Sequence, residues 1–259
     1  RGLGDVYKRQ YLYFMDSDDA IVPDCIENLY NIISQEKVDF VAAGINQIDE
    51  NENSLKITNY PNITRKGKLC MAQYFYEEKN EIWVTTWNKL YNLSFLREFH
   101  IHFLEHVYHE DIVMHAMLAL NTRSFSLTNR TTYLYNCKRE DSITNMEQGY
   151  TLKHLNDLTI VFSEIRRLIQ ADNNLSKHLQ KEINLYYLFE IYHRYLPAMY
   201  SNIKRVDLIK GLARLSQNCI PPILETRLTF KSIKRFLFLK LPFSIQYLIK
   251  SHKYKKDKT

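Results

Sequence analysis

Three aspartates lie within four consecutive residues near the start of the chain, in the run Asp16-Ser17-Asp18-Asp19. They directly follow residues 11–15, an apolar run that is typical of a buried β-strand. Carboxylates at alternating positions where a strand emerges from a domain can hold a hard divalent cation such as Mg²⁺ or Mn²⁺. Such a cation usually serves chemistry at phosphate groups. The run therefore predicts an enzyme.

The same run is compatible with other sites that use aspartate. Aspartates before a helix can form an N-cap and add charge that suits the helix dipole. An EF-hand is excluded, because a calcium loop that begins at Asp16 needs a ligand where the chain has Ala20 and a glycine where it has Ile21. An aspartate-nucleophile phosphatase also has Asp-x-Asp after a strand. It lacks support here, since small flexible residues do not follow, but it stays open as an alternative.

The residues after the aspartates predict the elements that position them. Pro23 suits the first turn of a helix whose apolar residues continue to Ile33, and residues 39–45 are typical of the next buried strand. A strand, a helix and a strand in succession form the unit of an α/β sheet, whose ligands bind at the carboxyl ends of strands. Residues 46–66 predict an exposed excursion with a hairpin near residues 56–60, and residues 67–79 predict a helix.

Further polar motifs follow in the same half of the chain. They are Trp87-Asn88-Lys89 with Leu90 and Tyr91, then His109-Glu110-Asp111 before a helix, then a tyrosine-rich strand that leads to Arg139. Zinc is disfavoured at the second motif, because His109 and His115 are six residues apart and point to different faces of a helix. Taken alone, Glu110 and Asp111 could simply be charges favourable to a helix start.

In this order, the four motifs resemble those of the family 2 glycosyltransferases with a GT-A fold. The resemblance covers residues 11–145. It implies an α/β fold, here an incomplete GT-A (Rossmann-like) nucleotide-sugar domain. It also implies an enzyme that transfers a sugar from a nucleotide-diphosphate donor to an acceptor hydroxyl, with inversion at the anomeric carbon and assistance from a metal ion.

The resemblance assigns roles to the carboxylates. It makes Asp18 a direct ligand of Mg²⁺ or Mn²⁺, and it puts Asp16 near the ribose of the nucleotide or the waters of the metal. Both residues then bind metal and donor, while Asp19 orients the loop or caps the next helix. Asp111 matches the catalytic base that accepts the proton of the acceptor hydroxyl, and Glu110 is its neighbour on the acceptor side.

Two further segments receive roles in the same way. Trp87 and Asn88 border the acceptor, where an aromatic face can stack on a sugar ring, although Trp87 could equally belong to the core. Arg139 lies on a segment that can close over the diphosphate, or it is an exposed, solvated arginine. The expected acceptor is a glycan or a lipid-linked glycan, in bacterial surface polysaccharide synthesis.

The first ten residues look foreign to this domain. Residues 1–10 resemble a translated sequencing-library adapter, so we interpret them as non-native and expect native sequence to begin in mid-domain near Tyr11. In the family, the nucleotide-base pocket and first strands lie upstream of the acidic motif. We therefore expect an N-terminally truncated enzyme, and little sugar transfer by residues 11–259 alone.

The rest of the chain predicts three regions in sequence. Residues 11–145 form the C-terminal part of the GT-A domain, residues 146–226 have the apolar spacing of helices, and residues 227–259 form a basic amphipathic tail. That tail has ten basic residues and one acidic residue, a composition typical of segments that lie on an anionic membrane surface. Nucleic acid is not an expected partner, because no recognised nucleic-acid-binding module accompanies the charge.

Composition limits the class of protein. The chain has 259 residues, 45% of them hydrophobic, which suits a globular protein. Its four cysteines are scattered without a metal or disulfide spacing, as expected of buried thiols in a reducing compartment. No run reaches the roughly 18 apolar residues of a membrane span. We expect a cytoplasmic protein, peripheral on the inner face of the cell membrane. A metal-dependent phosphohydrolase and a non-catalytic glycan- or membrane-binding module remain the alternatives.

Overall fold

The computed structural model of the chain describes residues 10–137 and 150–256, with side chains as far as Lys250. The described residues divide into two units. The first comprises residues 10–104 and 114–137, and the second comprises residues 105–113 and 150–256. The predicted boundary at residue 145 falls in the gap between the described ranges. The assignment of residues 105–113 to the second unit has no counterpart in the sequence prediction.

A mixed sheet organises the first unit. Its seven strands are β1 Tyr11–Tyr13, β2 Ala20–Ile21, β3 Phe40–Ile48, β4 Ser54–Thr58, β5 Ile63–Lys66, β6 Lys89–Asn92 and β7 Ser124–Asn136. Five of them follow the order β1-β6-β3-β7-β2, while β4 pairs with β3 and β5 pairs with β7. Among the strand pairs of the described residues, only β3–β7 is parallel.

The strand-helix-strand unit predicted at the start of the chain is present. Strands β1 and β3 run in the same direction because each pairs antiparallel with β6. Helix α1, Cys25–Glu36, connects them and buries Cys25, Leu29 and Ile33, at spacings of one helical turn, against β3. It begins two residues after Pro23. Strand β6 lies between β1 and β3, which local sequence patterns did not predict.

The hairpin after β3 lies earlier than predicted. Strands β3 and β4 pair antiparallel, and residues 49–53 connect them. The Asp49 carboxylate fixes this turn, since its Oδ1 accepts hydrogen bonds from the backbone N–H groups of Asn51 (3.0 Å) and Asn53 (2.8 Å). Aspartate commonly closes turns in this way. The prediction of a hairpin near residues 56–60 was wrong, because those residues lie mainly within β4.

The helices of the first unit are short. Helix α2 is Cys70–Ala72 and continues as a π-helical turn, Gln73–Glu77, where one helix was predicted. Helix α3 is Leu93–Glu98, and the Asn92 side chain caps it by accepting a hydrogen bond from Ser94 N. Helix α4, Glu110–Asn121, begins in the second unit and ends in the first.

The second unit is helical, as predicted from residue 146 onward. Its helices are α5 Leu152–Ala171, α6 Lys177–Met199, α7 Arg205–Asn218, α8 Phe230–Lys240 and α9 Phe243–Lys256. Hydroxyl side chains of Thr151, Ser176 and Thr229 cap three of their N-termini. None of the described helices is both long and apolar enough to cross a membrane. Helices α8 and α9 cover most of the predicted tail.

Candidate active site

Residues 16–19 form a turn shortly after β1, which we call the acidic turn. The backbone N–H of Asp19 donates a hydrogen bond to the carbonyl oxygen of Asp16 at 3.3 Å. One carboxylate oxygen from each of Asp16, Asp18 and Asp19 lies within 4.8 Å of the others. Asp16 and Asp18 are exposed, whereas Asp19 is half-buried. The turn therefore concentrates negative charge at the surface, at the end of a strand.

Asp19 connects the acidic turn to strand β7. Its Oδ2 accepts a hydrogen bond from the Tyr133 hydroxyl at 2.7 Å, and its Oδ1 accepts one from the backbone N–H of Asn136 at 2.9 Å. The Tyr133 oxygen in turn accepts a hydrogen bond from the backbone N–H of Asp16 at 3.1 Å. Helix α1 begins well beyond Asp19, so this residue orients the turn and does not cap the helix. Tyr133 and Asn136 were not among the predicted site residues.

A stack of aromatic rings supports Tyr133. Trp87 lies parallel to the Tyr133 ring with centroids 4.4 Å apart, and it also stacks on Tyr135 at 5.3 Å. Trp83 contacts Trp87 with a centroid separation of 5.6 Å. Burial is the largest influence that raises the pKa of Tyr133 above its ordinary value, and the hydrogen bond to Asp19 raises it further. The Tyr133 hydroxyl therefore keeps its proton and remains a donor to Asp19.

The acidic turn suits a hard divalent cation. Mg²⁺ commonly takes only one or two protein carboxylates and completes its shell with waters and substrate phosphates. Both oxygens of Asp19 accept hydrogen bonds from β7 residues, whereas Asp16 and Asp18 are the exposed carboxylates of the cluster. Asp16 and Asp18 are thus the residues that could hold Mg²⁺ or Mn²⁺, with Asp19 keeping their backbone in position.

Trp87 and Asn88, predicted to contact an acceptor, lie in the core. Trp87 is 5% exposed and Asn88 is 2% exposed. The Asn88 amide nitrogen donates to the carbonyl oxygens of Ala43 and Gly44, and its oxygen accepts from the Thr132 hydroxyl. These bonds explain the positive φ of 57° at Asn88, because side-chain bonds hold the strained backbone. The acceptor contact of both residues stays a prediction that their burial disfavours.

The neighbouring Lys89 has a structural task. Its side chain is buried, and the ammonium donates hydrogen bonds to the carbonyl oxygens of Trp83, at 3.0 Å, and Thr85. A buried ammonium is tolerated only when backbone or charged groups replace its water shell. The loop from residue 83 to residue 88 is therefore folded around this ammonium, which helps to hold both tryptophans.

The predicted base, Asp111, is in the first turn of α4 together with Glu110. Both side chains are half-buried. They belong to residues 105–113, which are part of the helical unit, and α5 holds this segment. The backbone N–H of Tyr108 donates to Asp157 Oδ2 at 3.0 Å, and the Tyr108 ring stacks on His154 at 4.0 Å. Asp157 is 5% exposed, so this hydrogen bond is shielded from water.

His109 immediately precedes the two acidic residues. Burial lowers its pKa to about 4, and the positive charge of Arg194 is the next largest cause. At neutral pH the imidazole is therefore uncharged. Its backbone is left-handed, with φ of 67°, at the residue that leads into α4. Arg139, predicted to close over a diphosphate, lies outside the described residues.

The sequence matches a known family over its first part. Residues 4–99 match the family model described as Glycosyl transferase family 2. The match includes the acidic turn and Trp87-Asn88-Lys89, and it begins inside the segment that we interpreted as an adapter. A comparison with curated proteins gives no match.

Solved structures share the fold. S. aureus TarS 1–349 in complex with UDP-GlcNAc is 15% identical with a TM-score of 0.64, over 90% of this chain and 67% of that chain. The complex of TarS 1–349 with UDP is 16% identical with a TM-score of 0.59, over 91% and 67% of the two chains. For S. aureus TarS the TM-score is 0.59 at 15% identity, and this chain covers only 40% of it. The predicted GT-A-type α/β fold with a helical C-terminal region is confirmed.

Proposed function

We propose, from the glycosyl transferase family 2 match of residues 4–99, that this chain is a glycosyltransferase that uses a nucleotide-diphosphate sugar. The observation that carries the proposal is the acidic turn at the end of β1, on a fold shared with proteins solved with UDP and UDP-GlcNAc. A diphosphate needs positive charge nearby, and a turn with clustered carboxylates supplies it by holding a divalent cation.

Asp16 and Asp18 act on the donor. They would hold Mg²⁺ or Mn²⁺, with Asp18 as the direct ligand, and the bound cation would supply positive charge to the diphosphate of the donor. Asp19 and the Tyr133 hydroxyl keep the turn in one conformation, so the two ligands need little reorganisation when donor arrives. Arg139 adds a positive charge on the diphosphate side.

Asp111 acts on the acceptor. Its carboxylate accepts the proton of the acceptor hydroxyl while the oxygen bonds to the anomeric carbon and the bond from that carbon to the diphosphate breaks. A single displacement of this kind inverts the anomeric centre. Glu110, beside Asp111 in the first turn of α4, faces the acceptor side in this proposal. The proposed acceptor is a glycan or lipid-linked glycan of a bacterial surface polysaccharide.

The first experiment tests the acidic turn. Release of nucleoside diphosphate is measured with a panel of nucleotide sugars, UDP-GlcNAc first, with and without Mg²⁺ or Mn²⁺. We expect Asp18→Ala to lower kcat/KM by ~10²-fold or more, because the cation loses its direct ligand. Glu50→Gln is the matched control, since it removes an exposed carboxylate from the β3–β4 turn and should leave activity unchanged. Metal-independent turnover at the wild-type rate in Asp18→Ala would contradict the metal assignment.

The second experiment separates the base from the donor site. Asp111→Asn keeps the size of the side chain but cannot take a proton at neutral pH. We expect transfer to fall by ~10²- to 10⁴-fold while binding of UDP with metal is kept. Near-normal transfer by Asp111→Asn would remove the base assignment, and inversion itself is read from the anomeric configuration of the product by NMR.

The same assays distinguish the alternatives. A metal-dependent phosphohydrolase would release phosphate from simple phosphomonoesters without an acceptor, whereas a non-catalytic module would bind nucleotide sugar without turnover.

A further inference from the structure

Helix α8 exposes a row of large apolar side chains. Phe230 is 83% exposed, Ile233 41% and Leu237 57%. Their spacings of three and four residues put them on one side of the helix. The next residues along α8, Phe238 and Leu239, are buried, so the helix is fixed to its unit by one side and presents these three residues on the other. We call Phe230, Ile233 and Leu237 the apolar stripe.

Helix α9 repeats this arrangement. Ile245, Leu248 and Ile249 are 43%, 69% and 50% exposed, again with helical spacing. The helix is anchored by Gln246, whose oxygen accepts a hydrogen bond from the buried Tyr195 hydroxyl at 2.6 Å and whose nitrogen donates to the carbonyl oxygen of Phe238 at 2.9 Å. Two consecutive anchored helices therefore each expose large aliphatic or aromatic side chains to water.

The charged residues of α8 and α9 are all basic. Between Glu225 and Asp257 the sequence contains no acidic residue. Lys231 and Lys234 are exposed on α8, and Lys234 lies one turn after Phe230 and one turn before Leu237. By contrast, the guanidinium of Arg235 packs over the Phe189 ring at 3.7 Å, within the unit. The exposed face of α8 thus combines apolar side chains with ammonium groups and carries no carboxylate.

We propose that the exposed faces of α8 and α9 lie on the surface of an anionic phospholipid bilayer. Apolar side chains of an interfacial helix enter the boundary between headgroups and acyl chains, while lysines beside them bind lipid phosphates. An apolar stripe alone could equally fit a second copy of this chain. The unmixed positive charge decides against that partner, because two such faces would bring like charges together. This surface is independent of the proposed sugar transfer.

The test is cosedimentation of the full chain with vesicles. Vesicles of phosphatidylcholine alone are compared with vesicles of equal amounts of phosphatidylcholine and phosphatidylglycerol, at low and at high salt. We expect binding to the anionic vesicles only, weakened by salt because screening shortens the reach of the lysine charges. Phe230→Ser/Leu237→Ser should weaken the binding at least about tenfold, through loss of inserted apolar surface.

The charge contribution is measured with a separate variant. Lys231→Gln/Lys234→Gln should weaken binding to anionic vesicles about fivefold for each lysine. Matched controls come from the exposed strand β4 of the other unit, where Leu55→Ser/Ile57→Ser removes comparable apolar surface and Lys56→Gln removes a charge. These controls should bind like the wild type. Far-UV circular dichroism checks that each variant is folded.

Three results would overturn the proposal. The first is no cosedimentation with anionic vesicles at low salt. The second is wild-type binding by both α8 variants while they remain folded. The third is a wild-type protein that binds no vesicles but forms a dimer in analytical ultracentrifugation, when Phe230→Ser/Leu237→Ser dissociates that dimer. This result would assign the face to a second copy of the chain.

Discussion

The three aspartates of the acidic turn have different tasks although they are close in sequence. Asp19 is bonded through both oxygens to Tyr133 and Asn136 of β7, so its charge is directed into the protein. Asp16 and Asp18 are exposed and are the proposed ligands of a divalent cation. The Tyr133 hydroxyl links the two functions, because it accepts from the backbone N–H of Asp16 while it donates to Asp19.

Removal of that hydroxyl should loosen the turn without touching a metal ligand. We expect Tyr133→Phe to lower the free energy of unfolding by ~1–3 kcal/mol, because a half-buried carboxylate loses a hydrogen bond. We also expect weaker Mn²⁺ binding, since the two ligands lose their fixed backbone. Urea unfolding and Mn²⁺ titration measure the two effects. Tyr11→Phe, which removes a hydroxyl from strand β1, is the control, and equal Mn²⁺ affinity in both variants would contradict this link.

His115 makes the stability of the first unit sensitive to acid. Its ring is 1% exposed and packs edge-on against Phe75 at 4.6 Å, and within the described ranges neither ring nitrogen has a hydrogen-bond partner. Burial, and then the charge of Lys89, lower its pKa to about 3. Unfolded histidine has a pKa of about 6.5, so the unfolded chain binds more protons between these values. The stabilising contribution is complete above the unfolded pKa and is lost as pH falls toward 3.

Without this imidazole, we expect the free energy of unfolding to fall less steeply as the pH is lowered. In urea unfolding from pH 7 to pH 4, His115→Phe should reduce the loss of stability by up to ~1.4 kcal/mol per pH unit. The exposed His102 supplies the control, because His102→Gln should leave the slope unchanged. If the free energy of unfolding of His115→Phe depends on pH as in the wild type, this imidazole does not cause the loss of stability in acid.

At the scale of elements, residues of helix α5 contact the segment that contains the predicted base. Residues 105–113 reach α5 through the Tyr108 N–H bond to Asp157 and the stack of Tyr108 on His154. Lys153 adds a hydrogen bond to the carbonyl oxygen of His106 at 2.9 Å. Since α4 starts two residues after Tyr108, these contacts position Asp111 indirectly.

Loss of the Asp157 acceptor should therefore affect transfer more than donor binding. We expect Asp157→Ala to lower kcat and to leave the affinity for UDP with metal unchanged. Asp157→Asn should restore much of the rate, because its amide oxygen can still accept the Tyr108 N–H. Glu164→Ala on the same helix, which removes an exposed ion pair with Arg167, is the control. Equal kcat in Asp157→Ala and the wild type would exclude a positioning role.

Local patterns predicted the regular elements and missed those that depend on distant partners. Strand β3 is readable because residues 40–45 are all buried and form a continuous apolar run, and α1 is readable because burial of one face imposes a helical spacing. Strand β6 separates β1 from β3 by pairing that no local pattern specifies. The β3–β4 turn depends on hydrogen bonds of a single side chain, Asp49, and the π-helical turn Gln73–Glu77 has no sequence period of its own.

In the candidate site, too, the sequence suggests some residues and misses the partners that come from distant parts of the chain. Asp16 and Asp18 could be proposed as metal ligands from the sequence because their spacing and their position after a strand suit that chemistry. The resemblance already gave Asp19 a different task, orienting the loop or capping a helix, but its partners Tyr133 and Asn136 could not be predicted, because they come from a strand more than 110 residues later. The burial of Asn88 likewise depends on Thr132, 44 residues away. A residue type shows what a side chain can do, but only its contacts show whether that capacity is used within the protein.

At the scale of the whole molecule, the two units are interleaved along the chain. The chain enters the helical unit at residue 105, leaves it after residue 113, and is again in that unit from residue 150. Residues 150–259 alone would lack Tyr108, which supplies a stacking partner for His154 and a donor for Asp157. The helical unit therefore should not fold to full stability from a simple C-terminal fragment.

Hydrogen exchange tests this expectation. In residues 150–259 alone, amides in the first turns of α5 should exchange faster than in the full chain. The reason is that Asp157 and the His154 ring lose their contacts with Tyr108. Residues 105–113 joined to this fragment through a flexible glycine-serine linker should restore part of the protection. Equal protection with and without residues 105–113 would show that they contribute nothing to the stability of the helical unit.

The aromatic stack beside the acidic turn also gives the protein an intrinsic optical reporter. The chain contains two tryptophans, Trp83 and Trp87, and both belong to the stack that contacts Tyr133. Tryptophan emission therefore comes from Trp87, which stacks on the residue that bonds to Asp16 and Asp19, and from Trp83, which contacts Trp87. Paramagnetic Mn²⁺ bound at the turn would quench that emission, so occupancy could be followed by fluorescence in unlabelled protein, independently of catalysis.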